Sequence, residues 1–175
     1  MTGSLTTSQR FDAGPRRVVI VAARFNAALV DQLIAGASQA WRDHGGDQSR
    51  LLVERVPGAF ELPLAARMFA ASGGVDAVVA LGCVIRGDTP HFDYVAGECA
   101  RGLMDAGLTT GVPVIFGVLT TETEAQAEER ADPARMNKGR ESMEAALEMI
   151  ELLAPPAKRP GPRAAGKSNR KKVRR

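Results

Sequence analysis

Four short apolar runs are spaced along the chain and predict buried β-strands. The first, at 18–23, is wholly apolar and rich in β-branched residues, which is typical of a parallel strand covered on both faces. The second stops at Pro57-Gly58, a pair that favours a turn. The predicted strands are 18–23, 51–56, 76–85 and 113–119.

Between these runs, apolar residues recur at the spacing of an amphipathic helix, as at Leu62, Ala66 and Phe69. Glycine and proline pairs such as Gly45-Gly46 and Asp132-Pro133 mark the helix ends. The predicted helices are 26–44, a helix between Gly58 and Ser72, 89–106, 122–130 and 138–153.

Strands that alternate with helices of this length predict βαβ units, and therefore an α/β protein with a parallel sheet and helices on both faces. A chain of 175 residues suits one such domain. We assign residues 16–154 to it. Residues 1–15 predict a flexible arm or one docked on a neighbour, and residues 155–175 predict a basic disordered tail.

The basic residues are concentrated in that tail. Nine of the 23 Lys and Arg residues lie in 155–175, which has no Asp or Glu, so the rest holds 14 basic against 20 acidic residues. The isoelectric point near 9.2 therefore describes the tail and does not indicate a nucleic-acid or membrane surface on the domain. The tail itself is either an arm for RNA or another anionic partner, or a solvated extension that aids solubility.

The two cysteines, Cys83 and Cys99, lie in no disulfide framework or zinc-ligand spacing. They predict reduced thiols in a cytoplasmic protein. Arg16-Arg17 precedes an apolar run that is too short for an export signal, and no run approaches the length of a membrane-spanning helix.

The least generic residues follow the predicted strands. In an open parallel sheet, ligands bind beyond the carboxyl ends of the strands, where loops from several βα units meet. We therefore expect a site built from the loops 24–26, 58–61, 86–91 and 117–121.

The third of these loops predicts a helix start that could hold an anion. Asp88 or Thr89 is a good helix cap, and Pro90 suits the first helical position. Amides at such a start favour a phosphate, with an ordinary capped helix, which is common, as the alternative. His91, in the first turn, is placed to carry a proton, with a surface or structural histidine as the alternative.

Three further residues have two interpretations each. Phe25 and Phe60 follow strand ends, where a ring either covers a planar heterocycle or folds back over the sheet. Arg130 is either a phosphate clamp or a partner of side chains on its own acidic helix. The glycine patterns of phosphate loops and dinucleotide folds are absent from the turns, which argues against ATP and NAD chemistry.

Four motifs occur in order along the chain. They read Ala-Arg-Phe-Asn from residue 23, Val-Pro-Gly-Ala-Phe-Glu-Leu-Pro from 56, Gly-Cys-Val-Ile-Arg-Gly-Asp-Thr-Pro-His-Phe from 82, and Gly-Val-Pro-Val-Ile-Phe-Gly-Val-Leu-Thr-Thr-Glu from 111. Together they resemble the lumazine synthase family. The similarity runs from about residue 16 to 153 and includes Glu-Arg-Ala at 129–131 and Asn-Lys-Gly at 137–139.

The resemblance implies that the chain joins 5-amino-6-(D-ribitylamino)uracil to 3,4-dihydroxy-2-butanone 4-phosphate. The products would be 6,7-dimethyl-8-ribityllumazine, phosphate and water, in the penultimate step of riboflavin synthesis, with no cofactor or metal. His91 would be the general acid and base, and Asp88, Thr89 and Arg130 would hold the phosphate. The ribitylaminouracil would be bound by Phe25, Ala59, Phe60, Glu61, Cys83, Val84, Ile85 and Phe116. Asn26 and Lys138 are additional candidates, while Arg86 receives no role.

The resemblance also implies a flavodoxin-like three-layer α/β/α fold with four parallel strands, an N-terminal arm docked on a neighbouring subunit, and active sites between subunits of a homopentamer. Some members assemble twelve pentamers into an icosahedral 60-mer. These members usually have Gly-Thr-Lys-Ala-Gly where this chain has Asp-Pro-Ala-Arg-Met at 132–136, so the pentamer and the 60-mer both stay open here.

Cys83 replaces a more usual small residue such as threonine. A flavin-binding paralogue without activity is the alternative function, although flavin binding alone needs neither His91 nor Arg130.

Overall fold

The sheet has four parallel strands in the order β2-β1-β3-β4. The computed structural model describes residues 10–154. The strands are β1 Val18–Ala23, β2 Leu51–Val56, β3 Ala77–Ile85 and β4 Val114–Thr121. The helices are α1 Ala27–Asp43, α2 Leu62–Ala71, α3 His91–Thr110, α4 Glu124–Ala131 and α5 Lys138–Leu153, with 3-10 turns at Gln48–Arg50 and Ala59–Glu61. The predicted α/β class and the four-stranded parallel sheet are confirmed.

β1 lies in the interior of the sheet, and all six of its side chains are buried. Parallel pairing begins with Val18 opposite Leu51 on one side and Val18 opposite Ala77 on the other. β2 and β4 are the edge strands. The middle of β2 is correspondingly open, with Leu52 44% and Val53 37% exposed.

Alternate side chains of β1 enter two separate hydrophobic cores, because successive residues of a strand point to opposite faces of the sheet. Ile20 belongs to the core shared with α1, α4 and α5, which includes the fully buried Trp41. Val21 belongs to the core shared with α2 and α3, which includes Leu62 and Leu103. Helices therefore cover both faces, as the three-layer prediction requires.

Two glycines allow α1 and α5 to pack closely. A Cβ atom at Gly139 would lie 2.0 Å from the carbonyl oxygen of Leu33, and one at Gly36 would lie 2.1 Å from the side chain of Asn137. Asn137 has a left-handed φ of 50°, and its side chain accepts a hydrogen bond from the Arg140 amide at the start of α5. This contact caps the first turn of α5.

α3 differs at both ends from the predicted helix 89–106. It extends to Thr110, because Gly111 adopts the left-handed conformation (φ 71°) that closes a helix. It begins at His91, one residue after Pro90. Because the helix starts later than predicted, Asp88 and Thr89 lie before its first turn rather than at its cap position.

The last residues of the predicted arm pack on their own chain. Phe11 and Ala13 are buried, and the Phe11 amide donates to Nδ1 of His44 over 3.2 Å. His44, expected only as a basic residue near the end of α1, is buried beside Glu144.

Arm residues 1–9 and the basic tail 155–175 lie outside the described residues, so the flexible arm and the disordered tail stay predictions, as does docking on a neighbouring subunit. Within 10–154, no helix combines the length and apolar character needed to cross a membrane.

Candidate active site

The loops that follow β1, β2 and β3 meet at the carboxyl ends of the parallel strands. The Phe25 amide donates to the Pro57 carbonyl oxygen over 3.1 Å, so the chain leaving β1 stays paired with the chain leaving β2. Asn26 then adopts a left-handed conformation with φ 57° and ψ 43°. Its Nδ2 atom donates to the Cys83 carbonyl oxygen over 2.9 Å, which ties this turn to β3. Phe25 is thereby held where the three strands end.

A cleft of about 660 Å³ opens at this junction. It brings together nine of the residues predicted for the site: Phe25, Ala59, Phe60, Glu61, Cys83, Val84, Ile85, Thr89 and His91. The volume falls in the range of small-molecule sites, and most of the lining is apolar with a few polar groups.

The rings of Phe25 and Phe60 point away from the hydrophobic cores. Phe25 is 70% exposed and Phe60 is 58% exposed, although both line the cleft. The alternative in which both rings fold back over the sheet is therefore wrong. Exposed rings beside a cleft provide flat apolar surfaces for a heterocycle.

Glu61 has a structural task in the loop after β2. Its Oε2 atom accepts a hydrogen bond from the Gly58 amide over 2.9 Å, and so closes the 3-10 turn. Ala59, between them, is buried against the sheet. Glu61 thus combines a loop-closing contact with a carboxylate that lines the cleft.

The predicted cap by Asp88 or Thr89 is wrong. Pro90 is the N-cap residue of α3, with helical φ and ψ and no side-chain hydrogen bond to the helix. Because the helix starts at His91, both polar side chains stand too early in the chain to reach the amides that a cap normally satisfies. Thr89 and His91 line the cleft, whereas Asp88 is exposed outside it.

Cys83 contributes a neutral thiol to the cleft wall. Burial raises its pKa to about 11, with a smaller contribution from Glu124. A thiol with this pKa is a poor nucleophile at neutral pH, so Cys83 serves as a packing surface. No group of three or more His, Cys, Asp or Glu residues able to hold a metal occurs among residues 10–154.

Three more of the predicted residues lie in a second cleft, of about 320 Å³, along the β4 edge of the sheet. It is lined by Phe116, Arg130 and Lys138 together with residues of β4 and α5. Phe116 is 44% exposed on this edge strand. The resemblance implied active sites between subunits without saying which residues each subunit supplies; on one chain the predicted residues line two separate clefts.

Two cations of the second cleft are held by their own helices. Arg130 Nη1 donates to the Gln126 carbonyl oxygen over 2.9 Å, one turn earlier on α4. Lys138 Nζ lies 2.6 Å from Glu141 Oε2, one turn later on α5. Arg130 therefore contacts its own helix through a backbone carbonyl rather than through the predicted side chains, and its guanidinium stays at the cleft wall.

Several lining residues were missed by the sequence interpretation. Tyr94 and Val95 line the first cleft, three and four residues after His91. That spacing places them on the same helix face as His91, and it would have identified them. Glu141 and Ser142 line the second cleft in the same relation to Lys138.

Comparison with known proteins identifies the family of the chain. The sequence model described as 6,7-dimethyl-8-ribityllumazine synthase matches residues 15–154. A curated 6,7-dimethyl-8-ribityllumazine synthase of Thermus thermophilus is 53% identical over 137 residues, which cover 78% of this chain and 87% of that protein. The chain therefore belongs to the 6,7-dimethyl-8-ribityllumazine synthase family.

Proposed function

We propose that this chain condenses 5-amino-6-(D-ribitylamino)uracil with 3,4-dihydroxy-2-butanone 4-phosphate to give 6,7-dimethyl-8-ribityllumazine, phosphate and water, the penultimate step of riboflavin biosynthesis. The observation that carries the proposal is the first cleft, in which two exposed aromatic rings, a carboxylate and an imidazole converge at the end of a parallel sheet. Family membership supplies the substrates.

The first cleft would bind the ribitylaminouracil. Phe25 covers the pyrimidine ring, since an exposed ring at the cleft mouth stacks on a planar heterocycle. The loop Ala59–Glu61 and residues 83–85 of β3 form the walls, and the Glu61 carboxylate accepts hydrogen bonds from hydroxyl groups of the ribityl chain.

The loop 87–90 would hold the phosphate of the second substrate. The start of α3 has no side-chain cap, and its Asp93 amide donates to the Pro90 carbonyl oxygen over 3.0 Å, so the His91 and Phe92 amides are the ones available to phosphate oxygens. The helix dipole favours an anion there. Thr89 lines this part of the cleft, and Asp88 beside it contributes through its backbone. Arg130 adds a guanidinium, which pairs with phosphate in a bidentate geometry.

Arg130, Lys138 and Phe116 would reach the substrates of a neighbouring subunit. On one chain they lie in the β4-edge cleft, apart from the cleft that holds His91. A ring of subunits brings the β4 edge of one chain against the sheet end of the next, which completes each site from two chains. The protein is therefore a homo-oligomer, either a pentamer or a shell of pentamers, and each site exists only in the assembly.

His91 would move protons during the condensation. Imine formation, phosphate loss, tautomerisation and ring closure each require proton transfer and none exchanges electrons, so no redox cofactor is needed. One acid/base group contributes about 10²- to 10⁴-fold to a rate. Holding two substrates in reacting geometry contributes roughly 7 to 11 kcal/mol, so positioning dominates.

Incubation of the purified chain with both substrates tests the activity. We expect lumazine fluorescence and released phosphate in equal amounts, at a rate above the spontaneous reaction. Binding of lumazine or flavin without product formation would favour the non-catalytic paralogue.

The cytoplasmic location, which we infer from the reduced cysteines, is tested by fractionation of the source cells.

A further inference from the structure

Arg86 is held by four contacts although it lines neither cleft. Its amide donates to the Thr121 carbonyl oxygen over 2.9 Å, and Nε donates to Glu122 Oε2 over 2.8 Å. Nη1 lies 3.1 Å from Asp93 Oδ1, and Cζ lies 4.1 Å from the centre of the Phe92 ring. A long side chain with this many partners keeps one orientation.

These contacts join the start of α3 to the end of β4. Phe92 and Asp93 belong to the first turn of α3 and follow His91 directly. Glu122 stands between β4 and α4. Arg86, directly after β3, therefore bridges the first turn of α3 and the turn between β4 and α4.

The first turn of α3 needs such a contact, because Pro90 provides no side-chain hydrogen bond to it. Uncapped helix ends fray readily. A cap by Asp88 or Thr89 would occupy the amides that the phosphate requires. Arg86 steadies the turn from the side and leaves these amides free.

Arg86 is also a poor candidate for binding the phosphate itself. Two carboxylates already pair with its guanidinium, and the hydrogen bond with Glu122 is the main cause of its raised pKa. The cluster of Arg86, Asp93 and Glu122 carries a net charge of about −1 at neutral pH, which does not attract an anion.

A series of hydrogen bonds continues from this cluster toward the second cleft. The Glu122 amide donates to Gln126 Oε1 over 3.0 Å, and Arg130 Nη1 donates to the Gln126 carbonyl oxygen over 2.9 Å. Arg86 is thus connected to the guanidinium that we assign to the phosphate of a neighbouring subunit.

We propose that Arg86 is a positioning residue, which holds the first turn of α3 against the β4–α4 turn and so fixes His91 and the loop 87–90 in reacting geometry. The proposal rests on the proposed function, because it assigns His91 and the loop their tasks. It explains why an arginine paired with two carboxylates stands beside an anion-binding loop.

The test compares Arg86→Met with Arg101→Met. Arg101 lies on α3 itself and also pairs with two carboxylates, Glu98 and Asp105, but its side chain is 68% exposed and lines neither cleft. Both variants lose one charge and two ion pairs. We expect kcat to fall about 10- to 100-fold in Arg86→Met, as for a small misplacement of reacting groups, and to stay near wild type in Arg101→Met.

A second readout does not depend on turnover. Amide hydrogen exchange in residues 91–97 should be faster in Arg86→Met than in wild type, and unchanged in Arg101→Met. Arg86→Lys, which keeps one ion pair, should restore part of kcat. If Arg86→Met does not fold, Arg86→Lys and Glu122→Gln provide the same comparison with smaller changes.

Three results would overturn the proposal: equal kcat in both methionine variants, unchanged exchange at the start of α3, or a rise confined to the KM of the phosphorylated substrate. The last would make Arg86 a direct ligand of phosphate. A wild-type chain without activity would instead reject the proposed function, and the exchange measurement would still decide whether Arg86 holds the helix.

Discussion

Asn26 and Cys83 connect two strand ends through the 2.9 Å hydrogen bond from Asn26 Nδ2 to the Cys83 carbonyl oxygen. Asn26 makes this contact from a left-handed backbone conformation, which costs most residues free energy but suits asparagine and glycine. Phe25, directly before it, is the exposed ring at the cleft mouth. The turn, the strand end and the ring therefore depend on one side chain.

Replacing Asn26 separates these effects. Asn26→Gly keeps the left-handed backbone and loses only the hydrogen bond, whereas Asn26→Ala loses both. We expect the free energy of unfolding to fall by about 1 kcal/mol in Asn26→Gly and by about 1 kcal/mol more in Asn26→Ala. Urea unfolding measures both values, and equal stability of the two variants would show that the backbone conformation imposes no cost.

Removal of the His91 imidazole should slow the reaction without abolishing it. We expect kcat of His91→Ala to fall by about 10²-fold or somewhat more, with a small change in the KM of either substrate, because positioning remains. Steady-state kinetics at several pH values measure this. An unchanged kcat together with an unchanged pH profile would remove His91 from the proton-transfer steps.

Arg130→Ala should act on one substrate only. The loss of a guanidinium from the phosphate is expected to raise the KM of the butanone phosphate about 10-fold or more, with little change for the ribitylaminouracil. Arg135→Ala is a matched control, because Arg135 is a 51% exposed arginine that pairs with Glu129 and lies outside both clefts. The same rise for both substrates would contradict the assignment to phosphate.

Sites shared between subunits should allow two defective chains to complement each other. Co-expression of His91→Ala with Arg130→Ala produces mixed oligomers in which some junctions combine an intact His91 with an intact Arg130. We expect these mixtures to exceed the average activity of the two separate variants. Activity equal to that average would place both residues in one chain's site.

Stability should decrease at alkaline pH through Cys99, which is fully buried. Burial raises the pKa of its thiol from 9.0 to about 11. The folded state therefore holds the proton more tightly, and this contribution is complete below about pH 9 and is lost as the pH rises through 11. Its size is at most about 2 to 3 kcal/mol. Between pH 8 and 11, the free energy of unfolding should fall less in Cys99→Ala than in wild type. Equal falls in the two proteins would show that the Cys99 thiol does not cause the loss.

The order of strands and helices was predictable because burial patterns repeat along the chain. The wholly apolar, β-branched run of β1 predicted a strand covered on both faces, and glycine or proline marked most helix ends. The start of α3 could not be predicted, because Asp88, Thr89 and Pro90 each favour a helix start. Their preferences do not determine which of them becomes the cap. The structure places the start one residue after the proline.

The members of the site were predictable from the rule that ligands bind at strand ends, together with the four motifs. Which of these residues line which of the two clefts could not be predicted from the sequence. Phe116 and Arg130 lie at the β4 edge because β4 is the last strand added to the sheet, a consequence of the strand order. Local sequence also gave Arg86 no role, since its partners Asp93 and Glu122 come together only in three dimensions.

The open edge of β2 has a consequence for the newly made chain. Leu52 and Val53 are partly exposed on a strand whose outer backbone groups have no partner among residues 10–154. Such an edge pairs readily with any other extended segment, including the edge of a second unassembled copy. A chain that leaves the ribosome in this form is at risk of aggregation until the edge is covered, so high expression at elevated temperature should yield inclusion bodies before it yields unfolded monomer.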